Sequence, residues 1–275
     1  MRLASVSLAD GTHAIVAREG ERHIVVRRDA ELGPGVSMDD LARELDGAEP
    51  LSDAEQLTFR PVVPRPHRIV CLGLNYRAHV EESGRELPTY PVMFTKWASS
   101  LAAAEAPIAL PPESAEVDFE AELAVLIGKG GRRIPAGRAF EHIAGVTIAN
   151  DITMRDYQYK SHQWLQGKAW DGSTPVGPYL VTLDEIGDVH ALDIRLHLND
   201  VEMQSSSTSR LIFDLPTIVA TISEFTHLDT GDLILTGTPG GVGYRRDPKI
   251  FLNPGDRVTV SIDQVGELRS TIVAE

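Results

Sequence analysis

Between Glu116 and Gly128 the chain reads Glu-Val-Asp-Phe-Glu-Ala-Glu-Leu-Ala-Val-Leu-Ile-Gly, with acidic and apolar residues alternating before an unbroken apolar run. Alternation predicts a strand carrying Asp118, Glu120 and Glu122 on one face and Val117, Phe119, Ala121 and Leu123 on the other. Same-face neighbours lie about 7 Å apart, so three carboxylates in a row repel one another unless a cation offsets them. The Asn150-Asp151 pair follows the apolar run Ile143 to Ala149 and can add a third carboxylate to two of these acids. An all-oxygen set of that kind suits Mg²⁺, Mn²⁺ or Ca²⁺. The plain alternative is a solvated strand face.

Four further features could carry chemistry. His79 and Glu82 stand three residues apart, which on a helical turn puts both on one face, where the carboxylate can orient the imidazole. Lys168, in Gln166-Gly167-Lys168-Ala169, is either a solvated lysine or one aimed at developing negative charge. Arg155 and Gln158 offer a carboxylate-binding guanidinium and an amide just after Asp151. The loop from Thr236 to Gly243 can bring backbone N–H groups and the Thr238 hydroxyl to an anion, although Gly/Pro-rich loops are more often plain turns, and it lacks the Gly-Lys-Ser/Thr of a Walker motif.

These residues need a β-rich frame. Leu3 to Val16 predicts two short strands around Asp10-Gly11, and Ile24-Val25-Val26 another. Ser37 caps a short helix with apolar residues at 38, 41, 42 and 45. Pro61 to Pro66 cannot continue a helix or central strand and marks a linker, so a small module over 1–66 precedes a larger domain over 67–275. There, strands are predicted at Arg68 to Leu72, Val146 to Ala149 and Asp232 to Thr236, with two more closing the chain after Asn253-Pro254-Gly255-Asp256. Residues 84–91 read as an irregular loop able to act as a lid. The clearest helix is Leu215 to His227, capped by Asp214 and apolar at 215, 218, 219, 222 and 225.

At 275 residues the chain can bury a large core, and 42% hydrophobic with 24% charged residues is ordinary for a globular protein. The balance of 26 Lys plus Arg against 40 Asp plus Glu gives a net charge of -14, which argues against nucleic-acid binding. A small anionic substrate then requires a local positive site. One cysteine, Cys71, excludes an intrachain disulfide and a Cys-based zinc cluster, and its apolar setting predicts a buried, inert thiol. No apolar run is long enough to span a bilayer and no signal peptide is evident, so the expected location is the cytoplasm.

Taken in order, Gly73-Leu74-Asn75-Tyr76 with His79 and Glu82, Asp118-Phe119-Glu120-Ala121-Glu122-Leu123, Asn150-Asp151, Arg155-Asp156-Tyr157-Gln158, Gln166-Gly167-Lys168 and Thr236-Gly237-Thr238-Pro239 resemble the fumarylacetoacetate hydrolase family. The resemblance covers 67–275; residues 1–66 are similar only to the variable N-terminal module of many members. It implies an α+β, β-rich mixed sandwich roll, a homodimer, and one Mg²⁺ or Mn²⁺ per subunit held by Glu120, Glu122 and Asp151. His79 with Glu82 becomes a base dyad on a lid and Lys168 an oxyanion stabiliser. Arg155, Gln158 and Thr238, with Lys96, become substrate contacts. Met154 and Trp170 depart from the common pattern and bear on pocket shape.

The implied reaction is hydrolysis of a C–C bond in an acylpyruvate such as fumarylpyruvate, giving pyruvate and a carboxylic acid. The alternative is oxaloacetate decarboxylation, or isomerisation or hydration of a 2-oxo-alkenoate, through the same enolate. A non-catalytic metal or sugar-acid binder on this scaffold would not require the full set of dyad, lysine and ligand motifs.

Overall fold

The structure is a computed structural model that describes residues 1–48, 50–51 and 56–275. It is β-rich, with 38% of residues in strands against 19% helical. Among the described residues eleven strands form one mixed sheet, and five form a second sheet from Val201–Ser207, Asp193–Leu198, Arg257–Ile262, Gly266–Ala274 and Pro107–Leu110.

The large sheet is built around Ala121–Ile127, which is buried on both faces. Its alternation divides the core. Ala121, Leu123, Val125 and Ile127 pack with Ile194, Leu196, Val258 and Val260 of the second sheet. Ala124 and Leu126 point the other way, into a cluster with Leu3, Ile15 and Leu233, where Leu41 of the helix Met38–Leu45 closes the layer. Burying both faces explains the continuous apolar run from Leu123 to Ile127, because neither side of the strand meets water. The capped helix follows its predicted span, with Ser37 accepting from the Asp40 N–H. Leu215–Phe225 also follows its pattern, Asp214 accepting from the Thr217 N–H at 2.9 Å.

The N-terminal strands extend this sheet. Arg2–Leu8 pairs antiparallel with Thr174–Val181, and Ser5 Oγ, fully buried, donates to Val62 O and accepts from Leu32 N–H, both at 2.9 Å. The segment Thr174–Val181 and the hairpin Asp193–Ser207 were not predicted as strands from the sequence. Their prolines, glycine and run of serines weaken the local signal, and pairing partners far along the chain decide them.

Around Ala121–Ile127, four strand ends converge. The strand begins beside the ends of Ile143–Asn150, its antiparallel neighbour, and of Leu233–Leu235; beyond the latter lies the parallel Ile69–Gly73. Chain leaving these ends supplies Asp151, Thr236 to Thr238, and the Asn75-Tyr76 turn into the short helix Arg77–Glu82. Gln204, buried in the second sheet, fastens the two layers here: its Oε1 accepts from Ala121 N–H at 2.9 Å, and its Nε2 donates to Thr238 Oγ1 at 2.8 Å and Pro239 O at 2.9 Å. Gln204→Leu strands those groups without partners and should lower unfolding free energy by on the order of 3 kcal/mol. Denaturant unfolding of metal-free protein measures this, and an unchanged midpoint would show that the clamp is dispensable.

Candidate active site

The acidic stretch is not one continuous strand. Val117–Asp118 pairs with Thr153–Met154, and Ala121–Ile127 begins only after a break at Phe119-Glu120. Side-chain bonding explains the break: Glu120 N–H donates to Asn150 Oδ1 at 2.9 Å, and Asp151 N–H donates to Glu120 O at 2.9 Å. Asp118 is thereby separated from the two glutamates. It accepts from the backbone N–H groups of Gly243 at 2.8 Å and Tyr244 at 3.0 Å, and from Arg155 Nε at 2.8 Å. The sequence pattern did not distinguish this anchoring role from metal binding.

Glu120, Glu122 and Asp151 do come together, each offering an oxygen within 4.8 Å of the others, and all are buried. Basic side chains surround them. Lys168 Nζ lies 2.6 Å from Glu120 Oε2 and 2.7 Å from Asp151 Oδ2. Lys96 Nζ lies 2.5 Å from Asp151 Oδ1. Arg155 Nη2 lies 2.6 Å from Glu120 Oε1 and 2.8 Å from Asp118 Oδ2, while its Nη1 donates to Gln158 Oε1 at 3.0 Å. Local packing brings these groups in: the helical turn Leu165–Lys168 presses so closely on Arg155–Gln158 that a Cβ on Gly167 would sit 2.5 Å from Gln158 Cα.

The charges do not balance. Four buried carboxylates, Asp118, Glu120, Glu122 and Asp151, face three buried cations, Lys96, Arg155 and Lys168. Burial pushes Glu120 up, but Lys168 and Arg155 more than offset it and hold the carboxyl at about 2. Lys168 is pushed up above the ordinary lysine range, because Asp151 and Glu120 outweigh its burial. Glu122 goes the other way: burial, then Asp151 and Glu120, drive it well above the usual carboxylate range. It accepts the Gly237 N–H at 2.8 Å but pairs with no side-chain cation among the described residues. A carboxyl kept from ionising by burial, and then by two carboxylate neighbours, fits a divalent oxygen-ligated cation, which would supply the missing charge.

Above the cluster lies a cavity of about 20 Å³ whose walls include His79, Glu120, Arg155, Gln158, Lys168 and Thr238. Glu122, Asp151, Lys96 and Glu82 are not among its lining residues, and reach it through Glu120, Lys168 and His79. His79 Nδ1 lies 2.7 Å from Glu82 Oε1, and Glu82 Oε2 accepts the Gly241 N–H at 2.7 Å, tying the short helix to the Thr236-to-Gly243 loop. Asn75 adds a second tie, donating to Thr236 O at 2.8 Å. Sequence reasoning missed Arg85, Phe94, Tyr159 and Trp164, which also line the cavity. Their aromatic and charged types carry no spacing signal. Cys71 is buried, and burial pushes its thiol far up, as expected of an inert residue.

Because Glu122 is raised in the folded state, its protonated form stabilises metal-free protein below the ordinary glutamate range, and that contribution is lost as pH rises through the raised value. Glu122→Gln removes the loss. In chelator, the variant should melt above wild type at about pH 8 and converge with it towards about pH 4; Mn²⁺ should reverse the order at pH 8, since wild type alone keeps three carboxylates. Thermal unfolding at both pH values decides it; a wild-type advantage in chelator at the higher pH would contradict the charge assignment.

A family model described as fumarylacetoacetate (FAA) hydrolase C-terminal matches residues 68–273. The mitochondrial oxaloacetate tautomerase Fahd2a of Rattus norvegicus is 42% identical over 232 residues, 84% of this chain and 74% of that protein. The fumarylacetoacetate hydrolase structure from Exiguobacterium antarcticum superposes with a TM-score of 0.86 at 31% identity over 100% of both chains. The fumarylpyruvate hydrolase from Pseudomonas aeruginosa, in complex with Mn²⁺ and pyruvate, superposes with a TM-score of 0.71 at 34% identity, covering 82% of this chain and 93% of that one. Among the described residues no helix is long and apolar enough to cross a membrane.

Proposed function

The chain belongs to the fumarylacetoacetate hydrolase family, and from that premise we propose a divalent-metal-dependent enzyme that moves a proton beside the keto group of a small 2-oxo acid, with keto–enol tautomerisation of oxaloacetate as its reaction. One observation carries the reading: His79, oriented by Glu82, lines the same cavity as Glu120, Arg155 and Lys168. The similarity to an oxaloacetate tautomerase supports the choice of acid. The family match begins at Arg68, which supports taking 67–275 as the catalytic unit, and a homodimer is the assembly we propose with it.

Glu120, Glu122 and Asp151 would hold Mg²⁺ or Mn²⁺, one per subunit. When bound, the ion supplies Lewis acidity towards the substrate's keto oxygen. The protein's own residues do the rest. Glu82 accepts from His79 Nδ1–H, which leaves Nε2 as the nitrogen that exchanges a proton with C3. Lys168 stays charged and offsets the negative charge that develops on the enolate oxygen. Arg155, held by Asp118 and Glu120, presents Gln158 to the cavity and adds positive potential for the carboxylate. Thr238, fixed by Gln204, offers a hydroxyl to the cavity it lines. Lys96 acts through Asp151. A volume of about 20 Å³ admits little more than one water, so a four-carbon acid enters only when the wall at Ser83 and Arg85 moves. That wall leads into the irregular residues 84–91.

A second reading is hydrolysis of an acylpyruvate, favoured by the likeness to the Mn²⁺- and pyruvate-bound fumarylpyruvate hydrolase. There His79 takes a proton from water, the water oxygen adds to the distal carbonyl, and the bond from that carbon to C3 breaks with its electron pair passing into pyruvate enolate. Oxaloacetate decarboxylation or isomerisation of a 2-oxo-alkenoate would use the same enolate. The discriminating assay follows decay of enol-oxaloacetate absorbance with Mn²⁺, beside pyruvate release from acetylpyruvate and fumarylpyruvate. Tautomerisation should be fast, stop with chelator, and fall by about 100-fold or more in His79→Ala with Mn²⁺ uptake unchanged. Pyruvate release without any effect on oxaloacetate would replace tautomerisation by hydrolysis.

A further inference from the structure

Three cations at the site are already engaged: Lys96 with Asp151, Lys168 with Asp151 and Glu120, and Arg155 with Asp118 and Glu120. Arg85 is not. It lines the cavity, and among the described residues its guanidinium forms no ion pair and no side-chain hydrogen bond. Its guanidinium carbon lies 5.9 Å from the centroid of the Trp164 ring.

That ring is a fixed platform. Trp164 packs over Gly73, where an added Cβ would lie 2.3 Å from its Cζ3, and meets Phe94 edge-on at 5.6 Å and 65°. Phe94 in turn lies under Lys168, whose Nζ is 5.1 Å from the ring centroid. Two aromatic rings therefore hold two cations apart: Lys168 at the carboxylate cluster, and Arg85 at the outer wall.

Charge says what Arg85 is for. With a divalent ion bound and all four carboxylates ionised, three side-chain cations would leave the cluster one positive charge. That matches the single carboxylate of a simple 2-oxo acid and leaves a second carboxylate uncompensated. We propose that Arg85 determines specificity by taking the distal carboxylate of a dicarboxylic 2-oxo acid, while Lys168 faces the 2-oxo end. This rests on the function proposed above, whose oxaloacetate is such a diacid, and deepens it by naming the residue that reads the second carboxylate. A guanidinium held beside an indole, and in no ion pair among the described residues, has N–H donors to offer a carboxylate.

Binding rather than turnover tests it, with 2-hydroxy acids that differ only in a terminal carboxylate or methyl: malate against 2-hydroxybutyrate, and 2-hydroxyadipate against 2-hydroxyhexanoate. Calorimetry on Mn²⁺-loaded wild type should show a preference for the diacid in at least one pair. Arg85→Gln should weaken that diacid by about 10-fold or more and leave its monoacid partner within about 2-fold, with Arg85→Lys intermediate. Retention of the preference in Arg85→Gln would overturn the assignment, and so would an equal loss for both acids, which is what a mere clasp on Trp164 would give. Wild type binding none of the four acids would remove the 2-oxo-acid reading itself, and Arg85's role with it; binding without a diacid preference would remove Arg85's role alone.

Discussion

The site is organised by a deficit of positive charge. Asp118, Glu120, Glu122 and Asp151 are buried with only Lys96, Arg155 and Lys168 to answer them. In a water-excluded setting each charge must be paired or suppressed. Asp118 and Arg155 settle their share with one another and with backbone N–H groups of the Gly243 turn. Glu120 and Asp151 share the two lysines. Glu122 is left with a backbone donor, and its carboxyl resists ionisation. A metal-free protein thus holds a carboxylate cluster at a cost, and a divalent cation would relieve it. The same count would let a chain of net charge -14 receive the anion proposed for it.

Such a cluster can be tolerated only in a rigid frame. Ala121–Ile127 has apolar layers on both sides, one shared with the second sheet and one with the Met38–Leu45 helix. Glu122 stands opposite Ala149 in the strand register, one pair away from Ala121 and Asn150, so Asp151 follows directly beside the break at Glu120. The register, together with the side-chain bond from Asn150 that interrupts the ladder, sets the carboxylate spacing. Gln204 then holds the Thr238 wall against the second sheet.

The outer half of the cavity is built differently. His79 sits on a helix of six residues, tied to the Gly241 loop through Glu82 and followed by irregular chain. Phe94, Tyr159, Trp164 and Arg85 also line the cavity, and among the described residues the Arg85 guanidinium forms no ion pair.

The Asn150-Asp151 pair, the i, i+3 spacing of His79 and Glu82, and the caps at Ser37 and Asp214 are local patterns, and the structure places each where its pattern implies; the alternation from Asp118 to Leu123 holds only from Ala121 on, because the strand breaks at Phe119-Glu120. Together with the ordered motifs they carried the family and the β-rich class. The sequence could not separate Asp118 from the glutamates, because the break at Phe119-Glu120 depends on Asn150, thirty residues away. Nor could it show that Arg155 is tied down by Asp118 and Glu120, that Gln204 bridges two sheets, or that Trp164 lies over Gly73 and beneath Arg85. Periodicity reports which face of an element a side chain occupies. Which groups meet across elements, and which charge is left without a partner, is decided by strand register and packing between residues far apart in the chain.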